Sequence, residues 1–264
     1  MMNAFAGAFR ITRYQLVGRQ RRLFTMLILF APAGLALVLS LLGRAHEDAL
    51  YTGFVYSLYL NIVLPFWMVY WGSAIVSDEI EGKTLVFFVT RPVHRAVAFL
   101  QKFASLAFFF AVLLVPSVLM IYLAVFAPHG RFSVIVNFPM VLWDLRAMFL
   151  GGLAYAALAY LFASFFKKPL VAAIVFLFAW DSAAALLPGS LKQFTIRHYI
   201  FVLGSHRNLG GPSGNFWKFL SAGVETTEMQ ALITLPLIAL VLVGLASALL
   251  TQKEFLGDDP LRAQ

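Results

Sequence analysis

The chain has 264 residues, of which 61% are hydrophobic and 12% charged, and its 20 Lys and Arg against 12 Asp and Glu give a net charge of +8. Soluble globular domains average about 25% charged residues, so this composition excludes a soluble globule and indicates a polytopic membrane protein. The sequence has no cysteine, which excludes disulfides, thiol catalysis and cysteine metal sites.

The segment 1–22 precedes the first long apolar run and is predicted to be a helix lying in the membrane interface. Phe5 and Phe9 fall on one helical face, and Arg10 and Arg13 fall on a neighbouring face. This is the pattern of an amphipathic interfacial helix. A basic anchor with no further function explains the same residues equally well.

Six apolar runs have the length of about 20 residues that a helix needs to cross the hydrocarbon. Strands of membrane barrels alternate polar and apolar residues, whereas these runs are unbroken. The predicted fold class is therefore an all-α membrane protein with six transmembrane helices, forming a single transmembrane domain over 1–264. The predicted spans are Leu23 to Leu42, Phe54 to Val76, Phe103 to Phe126, Ala147 to Phe166, Leu170 to Pro188 and Ala231 to Leu250.

The distribution of Lys and Arg predicts the orientation of these spans. An even number of spans puts both termini on one side, and the positive-inside rule makes this side the cytoplasm. The opposite short loops carry only Arg44 and Arg131, while Asp144 and Arg146 stand at the entrance of the fourth span and are predicted to be interfacial. The basic residues on the predicted cytoplasmic side are Arg10, Arg13, Arg19, Arg21, Arg22, Lys83, Arg91, Arg95, Lys102, Lys167, Lys168, Lys253 and Arg262.

The positive charge is thus explained by topology. It also attracts the anionic headgroups of the lipid bilayer, and it is not interleaved with the aromatic residues that stack on bases, so we predict no nucleic acid partner. The expected location is the cytoplasmic (inner) membrane, with a multi-pass chain and both termini in the cytoplasm.

The segment 77–97 joins the second and third spans and contains Gly82-Lys83-Thr84, the end of a phosphate-binding loop. Such a loop needs another glycine five residues before Gly82 and a buried strand in front of it. Position 77 is Ser, and the preceding segment is a membrane helix. Carboxylates at positions 78, 79 and 81 would also repel phosphates. We therefore predict no nucleotide site here.

The same segment has the local signals of a short cytoplasmic helix. Gly82 can end one helix, Thr84 can cap the next, and Pro92 suits the first turn of the third span. The apolar residues 85–89 are too few to cross a bilayer and are flanked by acidic residues on one side and basic residues on the other. This is the form of a protein-docking element; a helix resting on lipid headgroups is the alternative.

The interval 189–230 alternates apolar stretches with helix breakers, and no piece of it is long enough to cross. We expect short re-entrant or surface helices there. It contains Ser213 in a G-x-S-G string similar to that of rhomboid proteases, whose serine needs a histidine base from a later membrane helix. No histidine follows position 206, so a glycine-rich turn is the favoured interpretation. A polytopic membrane enzyme that uses Ser213 or Asp181 remains the alternative.

Asp181 is the clearest ionisable residue inside a predicted span, at a depth of about 18 Å for a rise of 1.5 Å per residue. A charge at mid-helix costs about 2.5–3.5 kcal/mol on insertion scales, which makes such residues functional candidates. Asn61 and Tyr70 of the second span could face Asp181 and its neighbour Trp180. A carboxylate that reaches an aqueous vestibule or a structural partner fits the sequence equally well.

The 77–97 segment resembles the cytoplasmic loop between the second and third spans of ABC-2-type permeases, the transmembrane subunits of ABC exporters. The matching residues are Asp78-Glu79-x-Glu81-Gly82-Lys83-Thr84-Leu85, then Thr90-Arg91-Pro92-x-x-Arg95, and finally Lys102. Lys83 departs from the many family members that join Gly directly to Thr. The six-span layout, the interfacial N-terminal helix and the long outer segment fit the same family.

This resemblance implies a permease subunit that is no enzyme itself and binds no cofactor, with ATP and Mg²⁺ held by separate ABC ATPase subunits. It also implies pairing with a second permease copy or a related permease. A non-transporting membrane anchor for ATPases is a further alternative. The residues implied to dock the ATPase are Asp78, Glu79, Glu81, Gly82, Thr84, Leu85, Phe87, Phe88, Arg91 and Arg95. The residues implied to line a translocation path are Asn61, Tyr70, Trp180 and Asp181, with Leu186 and Leu187 as an outer gate.

Overall fold

A computed structural model describes residues 9, 12, 19–42, 47–81, 95–166, 168–181, 193–204 and 226–252. These residues are helical apart from short connections, and none of them is in a strand. The all-α class is therefore confirmed for this part of the chain. The α-helices are α1, Arg19–Leu41; α2, Glu47–Thr52; α3, Leu64–Glu81; α4, Arg95–Phe126; α5, Arg131–Phe165; α6, Pro169–Phe176; α7, Ile196–Leu203; and α8, Glu228–Gln252.

Two π-helical segments interrupt this pattern. The first, Gly53–Val63, joins α2 to α3, and the backbone N–H of Leu64 at its end donates to the carbonyl of Tyr59, five residues earlier. Pro65 follows directly and has no N–H to donate. The second segment, Leu177–Asp181, continues α6. Such wider turns within helices occur frequently at functional sites.

Four helical stretches of the described chain are long and apolar enough to cross a membrane, which is the composition of a membrane protein. They overlap the second, third, fourth and sixth predicted spans. α1 carries a shorter apolar stretch at the first predicted span, and the helix at the fifth is described only as far as Asp181. The count of six spans therefore stays a prediction. The four stretches are Glu47–Asp78, Val97–His129, Arg131–Phe165 and Glu228–Leu250.

The helix at the fourth predicted span starts earlier than the sequence pattern predicts. α5 begins at Arg131, whereas the span was expected to begin at Ala147. Gly130 has φ of 110°, a conformation that favours glycine, and it connects α4 to α5 through the 3-10 turn Ala127–His129. The residues between Gly130 and Ala147 are mostly apolar and continue the helix, so Asp144 lies inside it instead of at a border.

α5 is the central helix and packs against α3, α4, α6, α7 and α8. Its closest approach is to α3, where a Cβ atom added at Gly72 would lie 2.5 Å from the carbonyl oxygen of Ala156. Small residues permit such close packing of helices in membranes. We refer to this contact between Gly72 and Ala156 as the α3–α5 seam.

α1 packs against α4, and hydroxyl groups tie the two helices together. Ser117 of α4 donates to the carbonyl of Leu29 in α1 over 3.0 Å, and Ser40 of α1 donates to the carbonyl of Val125 in α4 over 3.1 Å. Each bond satisfies a hydroxyl group that is buried away from water. These ties fix α1 beside the central helices.

The terminal and outer segments are described in part. Of the predicted interfacial helix, Phe9 is half-buried and stacks on Phe109 of α4, with ring centroids 4.7 Å apart. In the interval 189–230, α7 is a short helix, as the sequence predicts for this interval, and Thr195 caps it by accepting from the backbone N–H of His198. Residues 205–225, which include Ser213, lie outside the described residues.

Candidate functional site

The predicted ATPase-docking residues fall at the junction of α3 and α4. α3 ends at Glu81 and α4 begins at Arg95, so the two helices bracket the segment 82–94. Asp78 is half-buried in the last turn of α3. The side chains of Glu79, Glu81 and Arg95 are outside the described part of the structure. The predicted docking residues that lie wholly outside it are Gly82, Thr84, Leu85, Phe87, Phe88 and Arg91.

Lys102, the last residue of the loop motif, is deeply buried. The sequence pattern groups it with the charges of the cytoplasmic side, but it lies in α4 inside the candidate span Val97–His129, with 1% of its surface exposed. Next to it, the hydroxyl of Tyr160 in α5 donates to the carbonyl of Phe99 over 3.2 Å. A buried amine in an apolar span marks a functional candidate. The sequence signal for this burial is the position of Lys102 well inside the helix that follows the loop.

The second and fifth predicted spans meet at a small cavity. This cavity has a volume of about 10 Å³. From the second span it is lined by residues that include Asn61, in the first π-helical segment, and Pro65, at the start of α3. From the fifth span it is lined by Ile174 and Leu177. The side-chain Oδ1 of Asn61 is buried and has no hydrogen-bond partner among the described residues. The space is about that of one water molecule, so Asn61 lies beside the fifth span without a channel between them.

The remaining predicted path residues are distributed differently. Tyr70 is half-buried against the core and lines neither this cavity nor the larger one described next. Trp180 lines the larger cavity. Asp181 ends the second π-helical segment, and its side chain is outside the described part of the structure, as are Leu186 and Leu187. The structure therefore brings Asn61 beside the fifth span but separates it from Trp180.

A larger cavity of about 410 Å³ lies between α5, α6 with its π-helical continuation, α7 and α8, and we refer to it as the lateral cavity. Phe176 and Trp180 form one wall, with their rings stacked 6.4 Å apart. Tyr155 of α5 and Leu242 of α8 contribute to the walls on the other sides. Ten of the twelve lining residues are apolar or aromatic, and none is charged: Tyr155, Leu158, Phe176, Leu177, Trp180, Gln193, Phe194, Ile196, Tyr199, Thr234, Ile238 and Leu242.

The polar groups of the lateral cavity are neutral. Besides Gln193 and the indole N–H of Trp180 they are the hydroxyls of Tyr155, Tyr199 and Thr234. A hydrogen bond joins the side chains of Tyr199 and Thr234. Burial raises the pKa of the Tyr199 hydroxyl above its ordinary value, and the bond to Thr234 lowers it in part. Since the pKa of an ordinary tyrosine is already about 10, this hydroxyl is uncharged at neutral pH. The described lining can therefore offer hydrogen bonds but no ion pair.

Asp144 is a buried polar group that the sequence pattern assigned to the interface. It is fully buried in α5, and its carboxyl accepts a hydrogen bond of 3.0 Å from the hydroxyl of Tyr51 in α2. The Tyr51 ring packs on Tyr122 and Phe126 of α4, with centroids 5.9 and 5.5 Å away. Asp144 is thus buried by partners from helices distant in the sequence, and its interfacial position stays a prediction.

Arg146, two residues further along α5, forms an ion pair with α8. Its guanidinium lies 3.6 Å from the carboxylate of Glu228 at the start of α8 and 4.3 Å from the ring centre of Trp143. Both charged side chains of this pair are partly exposed. The pair thus links the middle of α5 to the first residue of α8.

The described residues contain no metal-binding group. They include no group of three or more His, Asp or Glu side chains that could hold a metal ion. In the outer segment, Nε2 of His198 lies 2.9 Å from the hydroxyl oxygen of Thr226, so this hydrogen bond links α7 to the residues just before α8. Buried polar groups here serve packing between helices.

Comparison with known proteins yields no relative: no family model, no curated protein and no solved structure matches this chain.

Proposed function

We propose that this chain is the membrane-spanning permease subunit of an ATP-binding-cassette exporter and that it couples to a separate ATPase through the segment 77–95. The observation that carries the proposal is the position of the loop motif. Its residues fall between two helical stretches of membrane-spanning length, Glu47–Asp78 and Val97–His129. A docking element in this place would act directly on both helices.

The packing of α3 supports a route for such coupling. α3 runs from Leu64 to Glu81, so one rigid helix connects the loop to the α3–α5 seam. At Gly72 this helix lies against the backbone of α5 with no spare room. A displacement of the loop would move α3 and α5 together, and α5 in turn carries one wall of the lateral cavity.

Other parts of the proposal follow from the same assignment. The chain would bind no nucleotide, and ATP and Mg²⁺ would bind to the partner ATPase. It would pair in the cytoplasmic membrane with a second copy or a related permease, with both termini in the cytoplasm. Six spans would be needed for this arrangement, four of which correspond to helices that are long and apolar enough.

The test is affinity purification of the tagged full chain from its native membranes, followed by identification of co-purified ATPase chains and measurement of their ATP hydrolysis. The double variant Phe87→Ala with Phe88→Ala should lose the ATPase and its activity. The matched control is Phe165→Ala with Phe166→Ala, an exposed Phe pair at the end of α5 near the same predicted side. This control should retain both.

Three results would overturn the proposal. Full ATPase capture by the Phe87 and Phe88 double variant would refute docking through this loop. ATP-independent hydrolysis of peptide or lipid by the purified chain, with no ATPase bound, would support the membrane-enzyme alternative. Capture of the ATPase without any nucleotide-dependent transport in reconstituted vesicles would instead identify a membrane anchor.

A further inference from the structure

The lateral cavity has the size and chemistry of a ligand site. Its volume of about 410 Å³ falls within the range of about 300–1,000 Å³ that is typical of small-molecule sites. Its lining is apolar and aromatic with few polar groups. Entry of an ion, a nucleotide or a charged peptide would remove hydration without any compensating charge. The lining therefore favours an uncharged, apolar ligand.

On α8, the polar and apolar lining residues of the lateral cavity occupy different depths. Thr234 lies about 9 Å along α8 from Glu228 and Leu242 about 21 Å, at a rise of 1.5 Å per residue. Thr234 is bonded to Tyr199 at the shallower level, whereas Leu242 contributes only hydrocarbon. A ligand that fits this gradient has a polar group toward the Glu228 end and an apolar chain toward the middle of the helix.

The lateral cavity opens where membrane lipid would be. Phe176 and Trp180 in its wall are 39% and 40% exposed, and Phe194 at its edge is 73% exposed. The adjoining face of α8 is also apolar and exposed, at Leu237 and Leu240 among others. In a membrane-spanning chain such a face contacts hydrocarbon, so a ligand can enter sideways from the bilayer without crossing water.

We propose that the lateral cavity binds the hydrocarbon tail of a lipid or lipid-like amphiphile, with the polar group of the ligand held near Thr234 and Gln193. The tail supplies apolar surface for the aromatic wall, and the neutral polar groups receive the part of the ligand next to its headgroup. The assignment of this tail to an exported molecule rests on the proposed function; binding of the tail itself does not.

The test uses the purified full chain in nonionic detergent and phosphatidylcholine with dibrominated acyl chains as the probe, because bromine quenches nearby tryptophan fluorescence. Trp180 reports on the cavity, and subtraction of the Trp180→Phe signal isolates it from the other tryptophans. We expect this Trp180 component to be quenched with saturation at low lipid fractions. Quenching that stays linear with lipid fraction would indicate general lipid contact and overturn the proposal.

A matched pair of variants on α8 locates the site. Leu242→Phe narrows the cavity and should raise the half-saturating lipid fraction by about tenfold or more. Leu240→Phe makes the same change on the exposed face of α8 and should leave the half-saturating lipid fraction unchanged. Equal quenching in both variants would refute the cavity as the binding site. Leu158→Phe approaches the cavity from α5 and replaces Leu242→Phe if that variant elutes as an aggregate.

The outcome is separable from that of the proposed function, since no ATPase takes part in the quenching assay. Saturable tail binding by a chain that captures no ATPase would leave the cavity site standing and refute the permease. Capture of an ATPase by a chain that shows no saturable quenching would refute the cavity site and leave the permease proposal standing. The same absence of saturable quenching would result if residues 182–192 of the chain itself filled the cavity.

Discussion

The two sides of α5 pack differently. Toward α3, the seam brings the backbones together, and Gly152 nearby is covered by Phe110 and Leu64. Toward α8, Ala157 packs against Ala239 and Val243, but beside this contact the lateral cavity leaves open space between the helices. Lipid supplies no hydrophobic drive between helices, so tight association depends on close packing. The difference is that one side of α5 has no spare room at its contact, whereas the other side has a cavity next to its contact.

The seam should be the most sensitive point of the molecule. Gly72→Leu would drive a side chain into the backbone at Ala156, and we expect a loss of at least about 3 kcal/mol, the upper end of overpacking costs. The melting midpoint of the purified protein in detergent measures this. Gly244→Leu on α8 is the matched control, because an added Cβ meets nothing within 4 Å there. Equal melting of the two variants would show that the seam is not tight.

The sequence predicts the helices that form the seam and the lateral cavity, but it does not predict how these helices pack. Long apolar runs identify the helices, because few other structures satisfy backbone groups in a membrane. They do not reveal which side of α5 meets a glycine. Asn61 lies beside Ile174 and Leu177 of the fifth span, and its role in a translocation path stays a prediction. Trp180 faces a different cavity, and only the arrangement of four helices determines that.

The buried polar groups were harder to predict than the helices. Asp144 stands beside Arg146, and this charged pair resembles the border of a span. Its burial depends on Tyr51, 93 residues away in the sequence, which no local pattern reports. The π-helical turns also depend on tertiary packing. The early start of α5 has a local cause instead, because the mostly apolar residues between Gly130 and Ala147 continue the helix.

The pairing of Tyr51 with Asp144 extends the tight side of α5 toward its Arg131 end. Tyr51→Phe removes a hydroxyl that donates to a buried carboxyl, and we expect a loss of about 1–3 kcal/mol. Tyr59→Phe is the matched control, because the Tyr59 hydroxyl is equally buried and donates to the neutral hydroxyl of Ser117 over 3.1 Å. Its loss should be about 0.5–1.5 kcal/mol. Chemical denaturation in mixed micelles compares the two, and a larger effect at Tyr59 would contradict the assigned role of Asp144.

The side of α5 that carries the lateral cavity should show the smallest effect, although an ion pair joins α5 to α8 there. Arg146 and Glu228 are 32% and 53% exposed, so water and salt screen their attraction. Glu228→Gln should therefore cost less than about 1 kcal/mol, and the difference from the unchanged protein should vanish when melting is repeated at high salt. Arg146 keeps its contact with Trp143 in this variant. A salt-independent loss as large as that of Tyr51→Phe would mean that α8 is fixed to α5 as firmly as α3 is, and that the lateral cavity is no looser than the seam.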